Sequence, residues 1–309
     1  MKGPLFYAKI LLFGEYGIIK DAKGLSIPYN FYKGALKITD TDTEQARHSN
    51  NKLNEFADYL QELDADLVKF NLKQFRTDLA NGLYFDSSIP QGYGIGSSGA
   101  LVAAIYDRYA HDKITILENL TRDKLLSLKK IFGQMESFFH GKSSGLDPLN
   151  SFLSLPILIH SNDNLEPTGI PSQPQSGNGA VFLLDSGMMG ETAPMVNKFM
   201  QNMESPVFRK MIKEQFISYS DNCVDHFLSG DIKSLFGDLR RLSKIVLTHF
   251  KPMIPKKFHS LWKKGIDTNA YYLKLCGSGG GGYILGFTQD IAKAQSVLKE
   301  HRLEVVYSF

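Results

Sequence analysis

The chain has 309 residues, 43% of them hydrophobic, enough to bury the core of one large domain or two smaller ones. Thirty-five Lys and Arg stand against 32 Asp and Glu, and the resulting formal charge of +3 argues against nucleic acid or a membrane surface as the main partner. Its two cysteines, Cys223 and Cys276, are far apart and in no CxxC or metal-ligand spacing, which argues against a disulfide scaffold and for a reduced, cytoplasmic protein.

The apolar run in Met1–Phe13 is short, broken by Lys9 and followed by no small-residue cleavage site, so no signal peptide is expected. No uncharged apolar stretch approaches the roughly 20 residues that span a bilayer. Short strands are predicted at Leu5–Phe13, Tyr16–Lys20, Leu25–Tyr29 and Gly34–Thr39, punctuated by glycines and an Asp. The polar stretch Thr39–Asn54 reads as an exposed loop, and Lys52–Leu63 as a short helix. Leu83–Ser87 reads as a strand running into Ile89–Gly92, after which Ala100, Leu101, Ala104, Ile105 and Tyr109 recur at helical spacing.

A helix is expected over Arg122–Phe139 and a strand over Phe152–His160. Ser161–Asn178, rich in Pro, Ser, Asn and Gly, is the expected boundary between a domain at 1–165 and another at 175–309. Beyond it come a strand at Ala180–Asp185 and helices near Thr192–Met203, Phe208–Leu228 and Ile232–Phe250. Strands at Tyr271–Leu275 and Tyr283–Phe287 then flank the glycine run Gly277–Gly282, before a helix and a last strand at Leu303–Tyr307. Strands and helices mixed without regular βαβ alternation predict an α+β protein.

Three segments carry chemistry. Pro90–Ala100 lies between a strand and a helix, and Gly92, Gly94, Gly96 and Gly99 let its backbone approach a ligand closely. The helix that follows aims its unpaired N–H groups and positive dipole end at that loop, while Ser97 and Ser98 sit at its start, one to cap it and one to reach a metal on a polyphosphate. A tight turn with a Ser cap is the ordinary alternative. The loop does not follow the first βα unit of a dinucleotide fold, and no Lys precedes its serines as in a Walker A loop. In the second segment Glu136 and His140, four apart, share a helix face, and a Gly/Ser path leads on to Asp147. A small-molecule kinase needs one carboxylate on magnesium and one at the acceptor hydroxyl, and Glu136 and Asp147 suit those roles in that order, although an Asp in such a loop is commonly a turn residue. In the third, five glycines within Gly277–Gly282, Gly279 and Gly280 among them, sit too tightly between apolar strands for a linker and point to close backbone packing.

Together these segments resemble the GHMP kinase superfamily (galacto-, homoserine, mevalonate and phosphomevalonate kinases). Pro90–Ala100 is similar to its PxGxGLGSSAA loop, and Lys274–Gly282 to its KxxGxGGGG segment. Within it the mevalonate kinase family fits best, through Lys9 with the GEH-type Gly14-Glu15-Tyr16, through Glu136 followed by His140–Asp147 in the manner of E…HGxPSGxD, and through Asp185–Thr192 in the manner of DTGxxGxT. The resemblance implies a two-domain GHMP kinase fold, with an N-terminal domain of the ribosomal protein S5 type and a ferredoxin-like C-terminal domain. It implies ATP bound by the glycine loops, Mg2+ on Ser98 and Glu136, Asp147 as the catalytic carboxylate and Lys9 assisting by lowering the acceptor hydroxyl's pKa. Glu15, Tyr16, His140 and Thr192 would lie toward the acceptor.

The implied reaction is phosphorylation of a small hydroxylated acid, mevalonate to 5-phosphomevalonate, by a monomer or homodimer. Phosphomevalonate kinase, another GHMP small-molecule kinase, the related diphosphomevalonate decarboxylase and an ATP-binding sensor are the alternatives. The departures from the family pattern are Tyr16 for its usual His, Gly99 for an Ala, Ser143 for the Pro of PSG, and Pro148 after the Asp.

Overall fold

Apolar side chains along Phe6–Phe13 make it the strand β1, with Phe6, Ala8, Ile10, Leu12 and Phe13 buried. A computed structural model describes residues 3–41, 43–115, 120–173 and 177–309. The strand expected at Tyr16–Lys20 does not form. Gly14 and Tyr16 take φ of 112° and 60°, a left-handed turn that ends the strand, and Ile18–Lys20 is a single 3-10 turn. The two strands expected next are one long strand, β2 (Gly24–Ile38).

Most of Thr39–Asn54, expected as a loop, is helical: α1 spans Glu44–Gln61. Thr43 caps it by accepting from the Ala46 amide, and Ala46, Leu53, Phe56, Ala57 and Leu60 form its buried stripe. Of the polar residues that masked this helix, Asn51 is exposed, whereas Ser49 and Asn50 are half-buried, Ser49 accepting from the Phe85 amide and Asn50 donating to the Leu79 and Leu83 carbonyls; Asp42 of the expected loop falls outside the described residues. A second helix, α2 (Leu72–Ala80), capped by Asn71, and the strand β3 (Leu83–Ser87) follow. Then come α3 (Ser97–Tyr109), α4 (Arg122–His140) and α5 (Leu146–Leu153). Because α5 holds Phe152 and Leu153, the strand expected from Phe152 begins only at Ile157, as β4 (Ile157–Ser161). Part of the expected boundary segment is β5 (Asn164–Pro167), paired antiparallel with β4, while residues 174–176 of that segment, and so the start of the second domain at 175, lie outside the described residues.

The second half holds β6 (Ala180–Asp185), α6 (Thr192–Asn202) and α7 (Pro206–Met211), then a π-helical turn at Ile212–Phe216 leading into α8 (Ile217–Ser229). It continues through α9 (Ile232–His249), α10 (His259–Thr268), β7 (Tyr272–Leu275), β8 (Tyr283–Thr288), α11 (Ile291–Val297) and β9 (Leu303–Ser308). One sheet runs β1-β2-β4-β5 with β3 also on β2, and the other runs β7-β8-β6-β9. No helix among the described residues is long and apolar enough to cross a membrane.

The chain forms two compact units. One comprises residues up to Lys9, Pro28–Pro90 and Gly96–Leu155; the other comprises Ile10–Ile27, Gln91–Ile95 and Pro156–Phe309. In the first, β2 pairs antiparallel with β3 from Gly34 opposite Ser87 to Ile38 opposite Leu83, α1 packs on β3, and α3 and α4 pack on α5. Its core holds Phe56, Phe75, Tyr106, Tyr109 and Phe132. In the second, β6 to β9 with their helices run β-α-β-β-α-β, and all their pairings are antiparallel in the ferredoxin-like order. Helices α9 and α10 pack against β7, and the buried Trp262 of α10 donates its indole N–H to Ser243 Oγ at 2.8 Å. The architecture is α+β.

Candidate active site

In the first unit four elements converge on one cluster. Strand β1 brings Lys9, the first turn of α3 brings Ser98, the last turn of α4 brings Glu136 and His140, and the first turn of α5 brings Asp147. The Ser151 hydroxyl of α5 donates to the Tyr7 carbonyl at 2.9 Å and fixes the strand next to Lys9. Lys9 Nζ lies 2.8 Å from Asp147 Oδ1; the lysine side chain is only 4% exposed, while that of Asp147 is 37% exposed. A buried ammonium is costly without a partner, so the pair both neutralises Lys9 and leaves part of the carboxylate accessible.

Ser98 Oγ donates to Glu136 Oε1 at 2.9 Å and lies 2.9 Å from His140 Nε2. The Ser143 hydroxyl donates to Glu136 Oε2. Burial of the Glu136 carboxyl pushes its pKa up to about 7, helped by the negative charge of Asp147 and opposed by the two serine hydroxyls and Lys9. Burial also lowers the pKa of His140, opposed by the charge of Asp147. Close packing at Gly99 sets this geometry. A Cβ there would lie 2.7 Å from the Asp147 carbonyl carbon and 2.8 Å from the Pro148 nitrogen, both backbone atoms. Gly99 and Pro148, two departures from the superfamily pattern, are therefore neighbours in space.

In the second unit, Gln91–Ile95 packs on the other glycine segment. Gly94, at φ 77°, would place a Cβ 2.4 Å from the Cys276 carbonyl oxygen. Tyr283 N donates to the Tyr93 carbonyl at 3.2 Å and Gly190 N to that of Gly92 at 2.8 Å. The glycine run is pinned further along by Gly280 N to the Met253 carbonyl at 2.7 Å and Gly282 N to that of Met188 at 2.6 Å. This is the close backbone packing that the run's flanking strands predict.

The turn after β1 contributes Glu15 and Tyr16. Glu15 forms an ion pair with Lys274, both side chains being almost wholly buried, and Lys274 Nζ also donates to the Leu275 carbonyl at 3.0 Å. The Tyr16 hydroxyl donates to the Ser278 carbonyl at 2.6 Å, and its ring lies 4.7 Å from that of Phe199 and 5.5 Å from that of Phe250. Burial, with the charge of Glu15, holds the Tyr16 phenol above its usual pKa. Thr192 Oγ1, at the start of α6, is 3.5 Å from Ser278 Oγ.

Of the residues singled out by sequence, Lys9, Ser98, Glu136, His140 and Asp147 meet in one cluster. Ser97, Gly96 and Gly99 lie at the start of α3 in that same unit. Glu15, Tyr16, Gly92, Gly94, Thr192, Gly279 and Gly280 belong to the other. Two participants were not singled out for a role. Lys274 is a charged residue in the buried strand Tyr272–Leu275, the same signal that marks Lys9. Ser143 stands where a proline was expected, and nothing local announces its bond to Glu136.

Residues 51–154 match the family model described as GHMP kinases N terminal domain. A comparison with curated protein sequences found no match. Among solved structures, the chain is similar to an L. major mevalonate kinase in complex with R-mevalonate, at 16% identity and TM-score 0.65, over 100% of this chain and 99% of that one. A Streptococcus pneumoniae phosphomevalonate kinase in complex with phosphomevalonate and AMPPNP aligns at 14% identity and TM-score 0.64, over 99% and 100% of the two chains. A Lactococcus lactis galactokinase complexed with galactose aligns at 12% identity and TM-score 0.60, over 98% and 92%. At these identities the structural likeness speaks for the GHMP kinase fold alone.

Proposed function

We propose that this GHMP kinase fold transfers the γ-phosphate of ATP to a hydroxyl of a small hydroxylated acid, with mevalonate the leading acceptor. The observation that carries the reading is the Lys9–Asp147 pair at 2.8 Å in the same cluster as Ser98 and Glu136. The accessible part of the Asp147 carboxylate accepts the proton of the acceptor hydroxyl, and Lys9 favours the negative charge that develops on that oxygen. The oxygen then bonds to the γ-phosphorus as the bond to the β,γ-bridging oxygen breaks and ADP leaves. The Gly92–Gly99 loop, with Gly279 and Gly280, is proposed to receive the triphosphate through backbone N–H groups.

The oxygens of Ser98 and Glu136 are hard donors that fit Mg2+. Among the described residues no group of three or more His, Cys, Asp or Glu could hold a metal alone, and Mg2+ commonly takes one or two protein oxygens with phosphates and water filling the rest. When bound there, Mg2+ would neutralise charge on the phosphates. His140, against Ser98, and Glu15, Tyr16 and Thr192 are proposed to shape the acceptor side. Mevalonate is favoured by the His140-Gly141 pair ahead of Ser144-Gly145-Leu146-Asp147. Tyr16, in place of the family's usual His, makes phosphomevalonate the second candidate.

The test is ADP release with ATP and Mg2+ over mevalonate, 5-phosphomevalonate, homoserine and galactose, with Asp147→Ala as control. Turnover of mevalonate alone, lost in the control, supports the reading. Turnover of phosphomevalonate instead moves the acceptor assignment, and ATP binding without turnover of any acceptor favours a sensor.

A further inference from the structure

Within the first unit, the two oxygens of the Glu136 carboxyl are held differently. Oε2 accepts the Ser143 hydroxyl. That hydroxyl is itself held, its oxygen accepting from the Gly145 amide at 3.1 Å while the Ser143 amide donates to Ser137 Oγ at 3.2 Å. Ser143 stands where the superfamily pattern has a proline, so this restraint is a departure of this chain. With Oε2 fixed from the α4–α5 loop, Oε1 is presented to Ser98. Glu136 is 4% exposed, and a carboxylate buried to that degree needs hydrogen bonds or a cation to offset its lost hydration.

On the other side of Ser98 lies a nitrogen. Ser98 Oγ is 2.9 Å from Glu136 Oε1 and also 2.9 Å from His140 Nε2. A serine hydroxyl carries one proton, so when it donates to Glu136 the His140 ring supplies the hydrogen of the other contact. With the ring proton on Nδ1 instead, all three atoms offer lone pairs. Ligand atoms at neighbouring corners of an octahedron with bonds of about 2.1 Å are about 3 Å apart. Both 2.9 Å contacts have the length of such an edge. His140 closes the last turn of α4 and is exposed, so an ion in solution can reach its ring.

We propose that His140 Nε2 is a third metal ligand beside Ser98 Oγ and Glu136 Oε1, so that the site favours a first-row transition ion over Mg2+. The inference rests on the reading of Ser98 and Glu136 as the metal's oxygen donors and deepens it. Mg2+ is a hard ion that gains little from an imidazole, whereas a ring nitrogen adds affinity for transition ions in the order Mn2+ below Co2+. Metal binding uses one ring nitrogen, and the rest of the imidazole stays on the acceptor side. Because the middle donor is a serine, the set contains only two side chains of the His, Cys, Asp and Glu types by which metal sites are usually read.

The experiment uses the full chain without nucleotide and compares the wild-type protein with His140→Gln and Ser98→Ala. Folding of both variants is checked by circular dichroism. Mn2+ serves as the paramagnetic probe: electron spin-echo modulation of the bound ion is expected to show coupling to an imidazole nitrogen in the wild-type protein and none in His140→Gln. Calorimetric titration is expected to show Co2+ binding more tightly than Mg2+. His140→Gln should weaken Co2+ by at least about tenfold, the lower end of what even the outer-shell partners of a metal contribute. Mg2+, which takes the glutamine oxygen as readily, should change by less than about threefold. Ser98→Ala should weaken both ions. No binding of any ion, absence of nitrogen coupling in the wild-type protein, its survival in His140→Gln, equal losses for Co2+ and Mg2+, or unchanged binding in Ser98→Ala would each overturn the inference. Failure of the kinase reading is distinct, because it appears as no ADP release with any acceptor and leaves the nitrogen coupling in place.

Discussion

Replacing Gly99 with alanine restores the residue that the superfamily pattern carries at this position, and on helix propensity it gains about 0.8–1.0 kcal/mol in the first turn of α3. The structure predicts that the change nevertheless harms the site. The new methyl carbon would lie 2.7 Å from the Asp147 carbonyl carbon, 2.8 Å from the Pro148 nitrogen and 2.9 Å from the Asp147 Cβ, where ordinary contact begins near 3.4 Å. Two of these are backbone atoms and cannot rotate away, so the first turn of α5 must retreat by about 0.7 Å. Overpacking of this kind costs about 1–3 kcal/mol, which leaves a net loss of up to about 2 kcal/mol after the propensity gain. The larger effect falls on Asp147: the same displacement stretches its 2.8 Å contact with Lys9 toward about 3.5 Å. Misplacement by about 1 Å can cost about a hundredfold in rate, so turnover should fall about tenfold or more. Thermal unfolding and ADP release measure the two effects, and a crystal structure of the variant reports the Lys9–Asp147 distance. Wild-type melting, turnover and ion-pair distance in Gly99→Ala would refute the packing argument.

Other outcomes follow from the same cluster and from its counterpart in the second unit. Asp147→Asn keeps the shape but removes the proton acceptor, and turnover should fall by about 10²–10⁴ with the protein still folded by circular dichroism. Glu136 binds its proton up to about pH 7 when folded but only to about 4.5 when unfolded. Its contribution to stability is thus complete below about pH 4.5 and is lost as the pH rises to about 7, on the order of 3 kcal/mol. Urea unfolding without added metal, compared at pH 5 and pH 7.5, should show this loss in the wild-type protein and not in Glu136→Gln; equal pH dependence in both would exclude it. Lys274→Met strands the buried Glu15 carboxylate and should cost about 3–5 kcal/mol, whereas adding Glu15→Leu should recover most of that, both read by denaturant midpoint. Thr43→Ala should cost about 1 kcal/mol through loss of the α1 cap, also by denaturant midpoint.

What was legible in the sequence is what depends on neighbours along the chain. The strand at Leu83–Ser87, the glycine loop after it and the helix from Ser97 follow from apolar spacing and glycine placement. Glu136 and His140 share a face because residues four apart in any α-helix do. Lys9 declared itself as a charge inside an apolar strand. The second half of α1 was read as the helix Lys52–Leu63, but its first half was hidden because the stripe that starts at Ala46 is interleaved with the Asn and Ser residues that also mark loops, and only packing on β3 shows which side is buried. Tyr16 looked like a strand residue because its left-handed backbone is stabilised by Phe199, Phe250 and Ser278, all far away in the chain.

By itself the sequence determined most of the elements and the order of the three motifs, since propensity and periodicity act locally. Only the tertiary structure decided the partners. Lys9 meets Asp147 at 2.8 Å, Ser143 takes the second oxygen of Glu136, and Lys274 meets Glu15 across 259 positions of chain. The physical reason is that a buried charge has no favoured partner until folding has excluded water around it, and which partner it then meets is set by the packing of whole elements.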